Sequence, residues 1–388
     1  MTVRTALIVG AGIGGLATGV ALQRAGWRVR IFERSRNPRE LGFALMLAPN
    51  ALAALRELGL AEVVMQRAAT PLRAEIRQPG GRLLRRLDLG PAAAGSGPRA
   101  MVSLRPALHG ALLDAVGTDC IELNAEATAW RTTESGVALS FAGGEEVTGD
   151  VLVGADGIGS IVRRTLHPDE PPAQPSSYVA VRGVAHDAVR HLGDLDGLSY
   201  LGAGVEAGVT RASATSIYWY LSLLAADVGA ERDPRAVVER HAAGFDWQFK
   251  AITSASEDLR FDELMVRAPL DAWGNGPATL LGDAAHPMLP HAGQGATQAL
   301  EDAVALGLVL GADGPVEAAL RRYEEVRGRR TRALVTLGRR VARVTTTRNT
   351  FLIRMRDAAV RLLPQRFIVD AFVQTSEKDQ QRELRRQR

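Results

Sequence analysis

Between Thr5 and Glu33 the chain reads as an apolar run, a glycine cluster, a helix, and a second apolar run closed by an acid. Thr5 to Val9 (TALIV) has strand length, and Gly10-Ala11-Gly12-Ile13-Gly14-Gly15 follows without a spacer. Leu16 to Ala25 has helical composition and stops at Gly26, and Trp27 to Phe32 then leads to Glu33. This order predicts a βαβ dinucleotide fingerprint. Each glycine has its own physical reason. Gly10 permits a tight turn, Gly12 lets the backbone approach a pyrophosphate, and Gly15 lets the helix lie close on the strand. The helix N-terminus then points unpaired N–H groups at an anion. Glu33 has the spacing at which a carboxylate accepts hydrogen bonds from ribose hydroxyls. The motif implies a dinucleotide and does not by itself separate FAD from NAD.

Two further segments repeat the theme. Val151 to Arg163 (VLVGADGIGSIVR) runs from an apolar strand into Gly154-Ala155-Asp156-Gly157, with a helix expected near Ser160. Ala278 to Leu281 reads as a strand running into Gly282-Asp283-Ala284-Ala285-His286-Pro287. Pro290 and Gly293-Gln294-Gly295-Ala296-Thr297 then open a helix through Leu310. A glycine turn at a helix start again offers free N–H groups.

With these three motifs in this order, the chain resembles the class A FAD-dependent aromatic hydroxylases, the para-hydroxybenzoate hydroxylase-like monooxygenases. Looser matches at Leu41 to Leu60 and at Arg105 in SLRPALHGALL extend the resemblance over nearly the whole chain. It implies an α/β fold: a Rossmann-like FAD-binding domain, an inserted antiparallel β-sheet substrate domain, and C-terminal helices. Gly12, Gly14 and Gly15 would line the FAD diphosphate, Glu33 and Arg34 would serve its adenosine end, and Arg105 and Asp283 would contact the cofactor. Gly293, Gly295, Ala296 and Thr297 would face the flavin pyrimidine edge, with Pro290 at the reactive edge. Asp156 would serve both FAD and NAD(P)H. Two positions depart from the family pattern: Thr297 stands where many members carry Asn, and Gly19 where the first helix usually has Ala. The implied chemistry is reduction of FAD by NAD(P)H, addition of O2 to give a flavin hydroperoxide, and transfer of its distal oxygen to an aromatic ring. The chain has no second GxGxxG with strand and helix around it, which suits a family without a separate nicotinamide domain.

Between the second and third motifs, Tyr178 to Val184, Leu198 to Val205 and Ser216 to Leu224 (SIYWYLSLL) alternate as antiparallel strands do. Arg73 to Leu89, with Pro79-Gly80-Gly81 at its centre, reads as a hairpin added to the same sheet. Alternation puts Tyr218 and Tyr220 on one face and Trp219 on the other. Candidates for substrate contact are Arg182, Glu206, Thr210, Arg211, Tyr218 and Tyr220; with Pro290, three of these (Arg182, Tyr218, Tyr220) form the candidate catalytic set. His286 and His291 flank the flavin motif as shaping residues rather than metal ligands, and His186 and His191 are expected on an exposed loop. The expected organisation is an FAD-binding domain in three parts (1–72, 98–175, 268–315). A hairpin at 73–97 and a sheet at 176–267 would serve the substrate, with a helical region at 316–388.

Composition narrows the alternatives. All but two of the 47 basic residues are arginine, the exceptions being Lys250 and Lys378. Schiff-base and PLP chemistry therefore have almost nowhere to sit. A flavin halogenase, which needs a lysine and a W-x-W-x-I-P run, does not fit. The single cysteine, Cys120, excludes disulfide, zinc-finger and iron–sulfur scaffolds and fits a reducing, cytoplasmic setting. No segment has the length of apolar sequence a membrane helix needs. Glu317 to Val344 reads as an arginine-rich helix with a solvated face rather than a nucleic-acid surface. Phe351 to Val373 reads as an amphipathic stretch broken at Pro364, with a frayed tail from Ser376. The remaining rivals are an epoxidase or Baeyer–Villiger-type oxygenase, an isoprenoid reductase, a simple NAD dehydrogenase, and a non-catalytic FAD-binding protein.

Overall fold

The computed structural model describes residues 3–37, 43–90 and 100–364. The tail from Ser376, the stretch from 365 to Val373, and parts of the Leu41–Leu60 match and of the 73–97 hairpin lie outside these residues.

In chain order the first strands are β1 (Thr5–Val9), β2 (Arg28–Glu33), β3 (Ala44–Leu47), β4 (Arg73–Arg77), β5 (Leu83–Asp88) and β6 (Met101–Leu104). They are followed by β7 (Ile121–Leu123), β8 (Ala127–Thr133), β9 (Gly136–Phe141), β10 (Glu146–Gly149) and β11 (Val151–Gly154). The last are β12 (Gln174–His186), β13 (Gly197–Leu201), β14 (Val205–Arg211), β15 (Ser216–Leu224), β16 (Ser256–Val266) and β17 (Ala278–Leu280). The helices are α1 (Ile13–Arg24), α2 (Pro49–Glu57), α3 (Ala61–Gln66), α4 (Arg105–Val116), α5 (Ile161–Leu166) and α6 (Ala225–Val228). After them come α7 (Pro234–His241), α8 (Trp247–Ser254), α9 (Gly295–Leu310), α10 (Val316–Thr345) and α11 (Thr350–Leu362).

Strands β17-β11-β1-β2-β7 form a parallel sheet. Its central strands are almost wholly apolar, and Ala6, Leu7, Ile8, Val151, Leu152 and Val153 are fully buried, as expected of a parallel sheet covered on both faces. Helix α1 is pressed onto this sheet by its glycines. A Cβ on Gly15 would lie 1.9 Å from the Gly10 carbonyl oxygen, and Gly10 itself turns at φ +102°. The departure at Gly19 has a packing reason: a Cβ there would lie 2.7 Å from Val116 Cγ2 and 2.9 Å from Ile31 Cδ1. Helix α9 crosses α1 closely, with the Cα of Gly307 against Ala21.

The second large sheet has the order β16-β12-β15-β14-β13-β4-β5. All its pairs are antiparallel except β13 with β4. The Pro79-Gly80-Gly81 hairpin thus joins it as the alternation predicts. One expectation needs correction: Leu198 to Val205 is not one strand. The chain leaves β13 after Leu201, reverses through Gly204 at φ +74°, and returns as β14. A glycine in the left-handed region at that point makes a hairpin where the apolar pattern alone reads through.

This sheet has two unlike faces. Val179, Val181, Trp219 and Leu221 are buried with Phe249 and Val237 of α8 and α7 in one apolar cluster. Trp219, fully buried, donates its indole N–H to Ser256 Oγ at 2.7 Å. The opposite face carries Arg182, Tyr218 and Tyr220, each half-buried.

Gly15→Ala is expected to lower stability by about 3 kcal/mol or more, because the new methyl group meets backbone rather than a movable side chain. Urea denaturation checks this; a loss below about 1 kcal/mol would contradict the close approach.

Candidate active site

Two helix starts converge above the C-terminal ends of β1, β11 and β17. The start of α1 has no side-chain cap and no acid in its first turn, and the same holds for α9. Unpaired N–H groups at both ends are therefore available to acceptors. Gly10 N–H donates to the Phe32 carbonyl at 2.8 Å, and Glu33 holds the same turn by accepting from Ala11 N–H at 3.0 Å and Ser35 N–H at 2.8 Å. His109 of α4 adds a third tie, 2.8 Å from Nε2 to the Ala11 carbonyl. Gly12 precedes α1 in extended backbone, and Gly14 turns its Cα against Leu281 and Ala299. Arg34 is exposed beside Glu33, and Arg105 stands half-buried at the start of α4.

Asp156 lies just past β11, and its Oδ2 accepts from Ile161 N–H at 2.7 Å at the start of α5. Burial pushes its pKa up, against the hydrogen bonds from Ser160 and Ile161. Its Oδ1 is buried without a hydrogen-bond partner. Asp283 sits in the turn after β17 with its side chain exposed, between buried Gly282 and Ala284. Arg163 fixes this turn: fully buried, it donates to the Ala284 and Ala285 carbonyls at 2.9 and 3.1 Å and pairs with Glu170. Gly293, Gly295 and Ala296 are half-buried at the start of α9, and Thr297 is buried with its Oγ1 unpartnered.

The strongest polar cluster here was not anticipated. Arg327, expected on a solvated helix face, is 1% exposed. It donates from Nε to Asp302 at 2.6 Å, from Nη1 to Glu301 at 2.5 Å, and from Nη2 to Gln298 Oε1 at 2.7 Å. The other Asp302 oxygen accepts from Gly282 N–H at 3.0 Å and from His286 Nε2 at 2.6 Å. Glu301 is also held by Asn50 and Arg330. Burial alone would raise the Asp302 pKa, but the Arg327 charge and the His286 contact outweigh it and bring it to about 2. The signal was present in the sequence: Glu301 and Asp302 interrupt an otherwise apolar helix, and acids in such a helix need partners. Arg329 does lie toward solvent, whereas Arg321 is half-buried and donates to the Ala278 carbonyl at 3.1 Å.

The polar face of the large sheet meets this region. The Tyr218 ring stacks on Phe43 at 6.2 Å, and the Phe43 carbonyl accepts from Arg105 N–H at 3.0 Å. His291, in the turn Pro290–Ala292, lies 3.0 Å through Nε2 from Ser222 Oγ, with its ring 5.1 Å from that of Tyr178. Pro290 beside it is exposed. Arg182 sits 3.5 Å from Asp262. The fold therefore brings Arg182, Tyr218 and Tyr220 to the side of the sheet that meets the 290–297 turn. Thr210 shares that face, being paired with Tyr218, whereas Arg211 is out of phase with it and lies 3.5 Å from Asp196. His186 is exposed at the end of β12, as expected, but its Nδ1 lies 3.0 Å from Ser216 Oγ. His191 is half-buried in a short helical turn with its ring against Trp247.

Known proteins resemble this arrangement. A family model described as FAD binding domain matches residues 3–337. The chain is 34% identical over 363 residues to an aurachin C monooxygenase/isomerase of Stigmatella aurantiaca, covering 92% of this chain and 94% of that protein. It is 29% identical over 347 residues to an FAD-dependent urate hydroxylase of Klebsiella pneumoniae subsp. pneumoniae, covering 88% and 90% of the two chains. Among solved structures, Klebsiella pneumoniae HpxO complexed with FAD and uric acid superposes with a TM-score of 0.87 at 28% identity, covering 95% of this chain and 96% of that one.

Arg327→Met is expected to cost about 3–5 kcal/mol, because it leaves buried carboxylates without their cation. Arg329→Met, on the exposed side, should stay within about 0.5 kcal/mol. Equal effects in urea denaturation would refute the distinction. The pH dependence follows from the depressed Asp302 pKa. Its stabilisation is complete above the ordinary carboxylate value near pH 4 and is lost as pH falls through about 2. The stability gap between the unsubstituted protein and Asp302→Asn should therefore shrink by about 2 kcal/mol from pH 5 to pH 2.

Proposed function

This chain belongs to the FAD-dependent aromatic hydroxylases, and on that premise we propose that it uses NAD(P)H and O2 to place one oxygen atom on an electron-rich aromatic or heteroaromatic small molecule. It is an FAD-dependent monooxygenase; the reductant, the residue roles and a cytoplasmic setting are parts of the proposal. The observation that carries it is an uncapped start of α1 packed against α9, whose own uncapped start follows a turn that touches the half-buried aromatic and polar sheet face.

The residues suit FAD. Gly10 and Gly15 close a turn that no side chain could share, and the Asp156 and Thr297 side chains each keep a buried oxygen without a partner. Gly12, Gly14 and Gly15 would hold the diphosphate, with Glu33 and Arg34 at the adenosine ribose. Arg105 and Asp283 would bind toward the ribityl chain, and Asp156 would keep the turn beside them. Gly293, Gly295, Ala296 and Thr297 would present N–H groups to the ring's pyrimidine edge, with Pro290 near its reactive edge. Bound FAD supplies the two-electron and O2 chemistry. Arg182, Tyr218 and Tyr220 would line the substrate's side, with Phe43 and the 290–292 turn helping to exclude water from the reacting atoms. The division into FAD-binding parts (1–72, 98–175, 268–315), substrate parts (73–97, 176–267) and a helical region (316–388) belongs to the same proposal.

Purified protein should be yellow and should consume NAD(P)H and O2 faster when an activated aromatic is added. A protein that takes up FAD but shows no such stimulation by any aromatic would favour a purely FAD-binding role. Asp283→Ala should weaken FAD retention by about tenfold or more, the scale of a lost hydrogen bond to a charged group. Unchanged retention on gel filtration would remove Asp283 from its assigned place.

A further inference from the structure

One carboxylate on the polar sheet face is unused by the chemistry above. Glu206 is 6% exposed. The Tyr220 hydroxyl donates to its Oε1 at 2.8 Å, and its Oε2 is buried without a hydrogen-bond partner. Gly208 makes this pairing feasible: a Cβ there would lie 2.3 Å from Tyr220 Cε1, so the ring lies across bare backbone to reach Glu206. Register puts Glu206 opposite Ser222 and Tyr220 opposite Gly208, all on the side that meets the 290–297 turn. Ser222 in turn contacts His291, whose Nδ1 is also buried without a partner. Arg182 is paired with Tyr220 and Glu206 with Ser222, so Arg182, Glu206 and the Ser222–His291 contact share one face of the sheet.

The charges on this face are unevenly paired. Arg182 faces Asp262, which Arg260 also holds at 2.5 Å. Among the described residues Glu206 has no ion-pair partner. A carboxylate oxygen buried without a donor is costly, and the cost is relieved when a ligand brings the donor. An aromatic carboxylate would do the reverse, setting a second anion beside Glu206.

We propose that Glu206 Oε2 accepts the acidic N–H or O–H of the substrate, and that the substrate is therefore a neutral, donor-bearing aromatic or heteroaromatic ring rather than an aromatic carboxylate. This rests on the monooxygenase reading and names the substrate class for it. In the step, the substituent's O–H or N–H bond breaks and the proton passes to Oε2. The bonding pair stays on the ring's heteroatom and raises the electron density of the carbon to be oxygenated. Tyr220 holds the other oxygen and keeps the carboxylate in one orientation.

The test is ligand titration of the FAD-loaded protein, followed by flavin absorbance. The probes are two matched pairs, 4-hydroxyquinoline with 4-methoxyquinoline and 2-naphthol with 2-methoxynaphthalene, together with 3-hydroxybenzoate. A site that reads a donor discriminates strongly against an analogue lacking it, so each donor should bind about 100-fold or more tightly than its ether and than 3-hydroxybenzoate. Glu206→Gln should retain FAD, reduce the donor–ether gap below about tenfold, and bind 3-hydroxybenzoate more tightly than the unsubstituted protein does. Tightest binding of 3-hydroxybenzoate by the unsubstituted protein overturns the proposal. So does a donor–ether gap that is the same, or nil, in both proteins. The paired-ligand comparison needs no variant, so a Glu206→Gln protein that fails to fold leaves it standing. Failure to hold FAD is a separate result, which overturns the monooxygenase reading and this one with it.

Discussion

The carboxylate of Asp302 is where the elements of the nucleotide half are tied together. One oxygen takes the Arg327 guanidinium from α10; the other takes the Gly282 amide after β17 and the His286 ring. Three successive segments, the turn after β17, α9 and α10, are thereby held at one point inside the protein. A buried ion pair of this kind adds little stability over an apolar replacement, but breaking one side of it is expensive. Its contribution here is placement. It sets the turn bearing Asp283 against the start of α9, so that the backbone around 282–297 has one arrangement.

The polar face of the large sheet is closed by different means at its two ends. Toward β16, Leu289, Ala342, Leu264 and Ala180 pack together, so the turn and α10 sit directly on the strands. Toward β5, α11 lies across the sheet with Val360 against Ile76 and Leu84, and Arg356 donates to the Leu201 and Gly202 carbonyls. The middle carries the half-buried Arg182, Tyr218 and Tyr220, with Phe43 stacked on Tyr218.

Much of this was legible in the sequence because it is written in local rules. Glycine turns between strands and helices, the alternation of Tyr218, Trp219 and Tyr220, and the Pro79-Gly80-Gly81 hairpin each follow from neighbouring residues alone. The break at Gly202 to Gly204 was less visible, since apolar residues continue on both sides and only the positive φ of Gly204 reveals the reversal. The Arg327 cluster was hidden for another reason. On α10 it is one arginine among many at helical spacing, and its burial depends on the distant acids of α9. The pairing of Tyr220 with Glu206 likewise depends on which strand lies beside which.

The strand order carries a consequence for how the protein is made. The central strand β1 is made well before its neighbour β11, and β17 and Arg327 come later still. Until β11 is made, the edge of β1 that pairs with it has no partner. The nascent chain cannot complete the nucleotide pocket until most of the polypeptide has been synthesised. Such long-range closure slows folding and leaves apolar strands exposed meanwhile. A chain truncated before α10 would carry every glycine motif and still lack the arginine that neutralises the buried acids of α9.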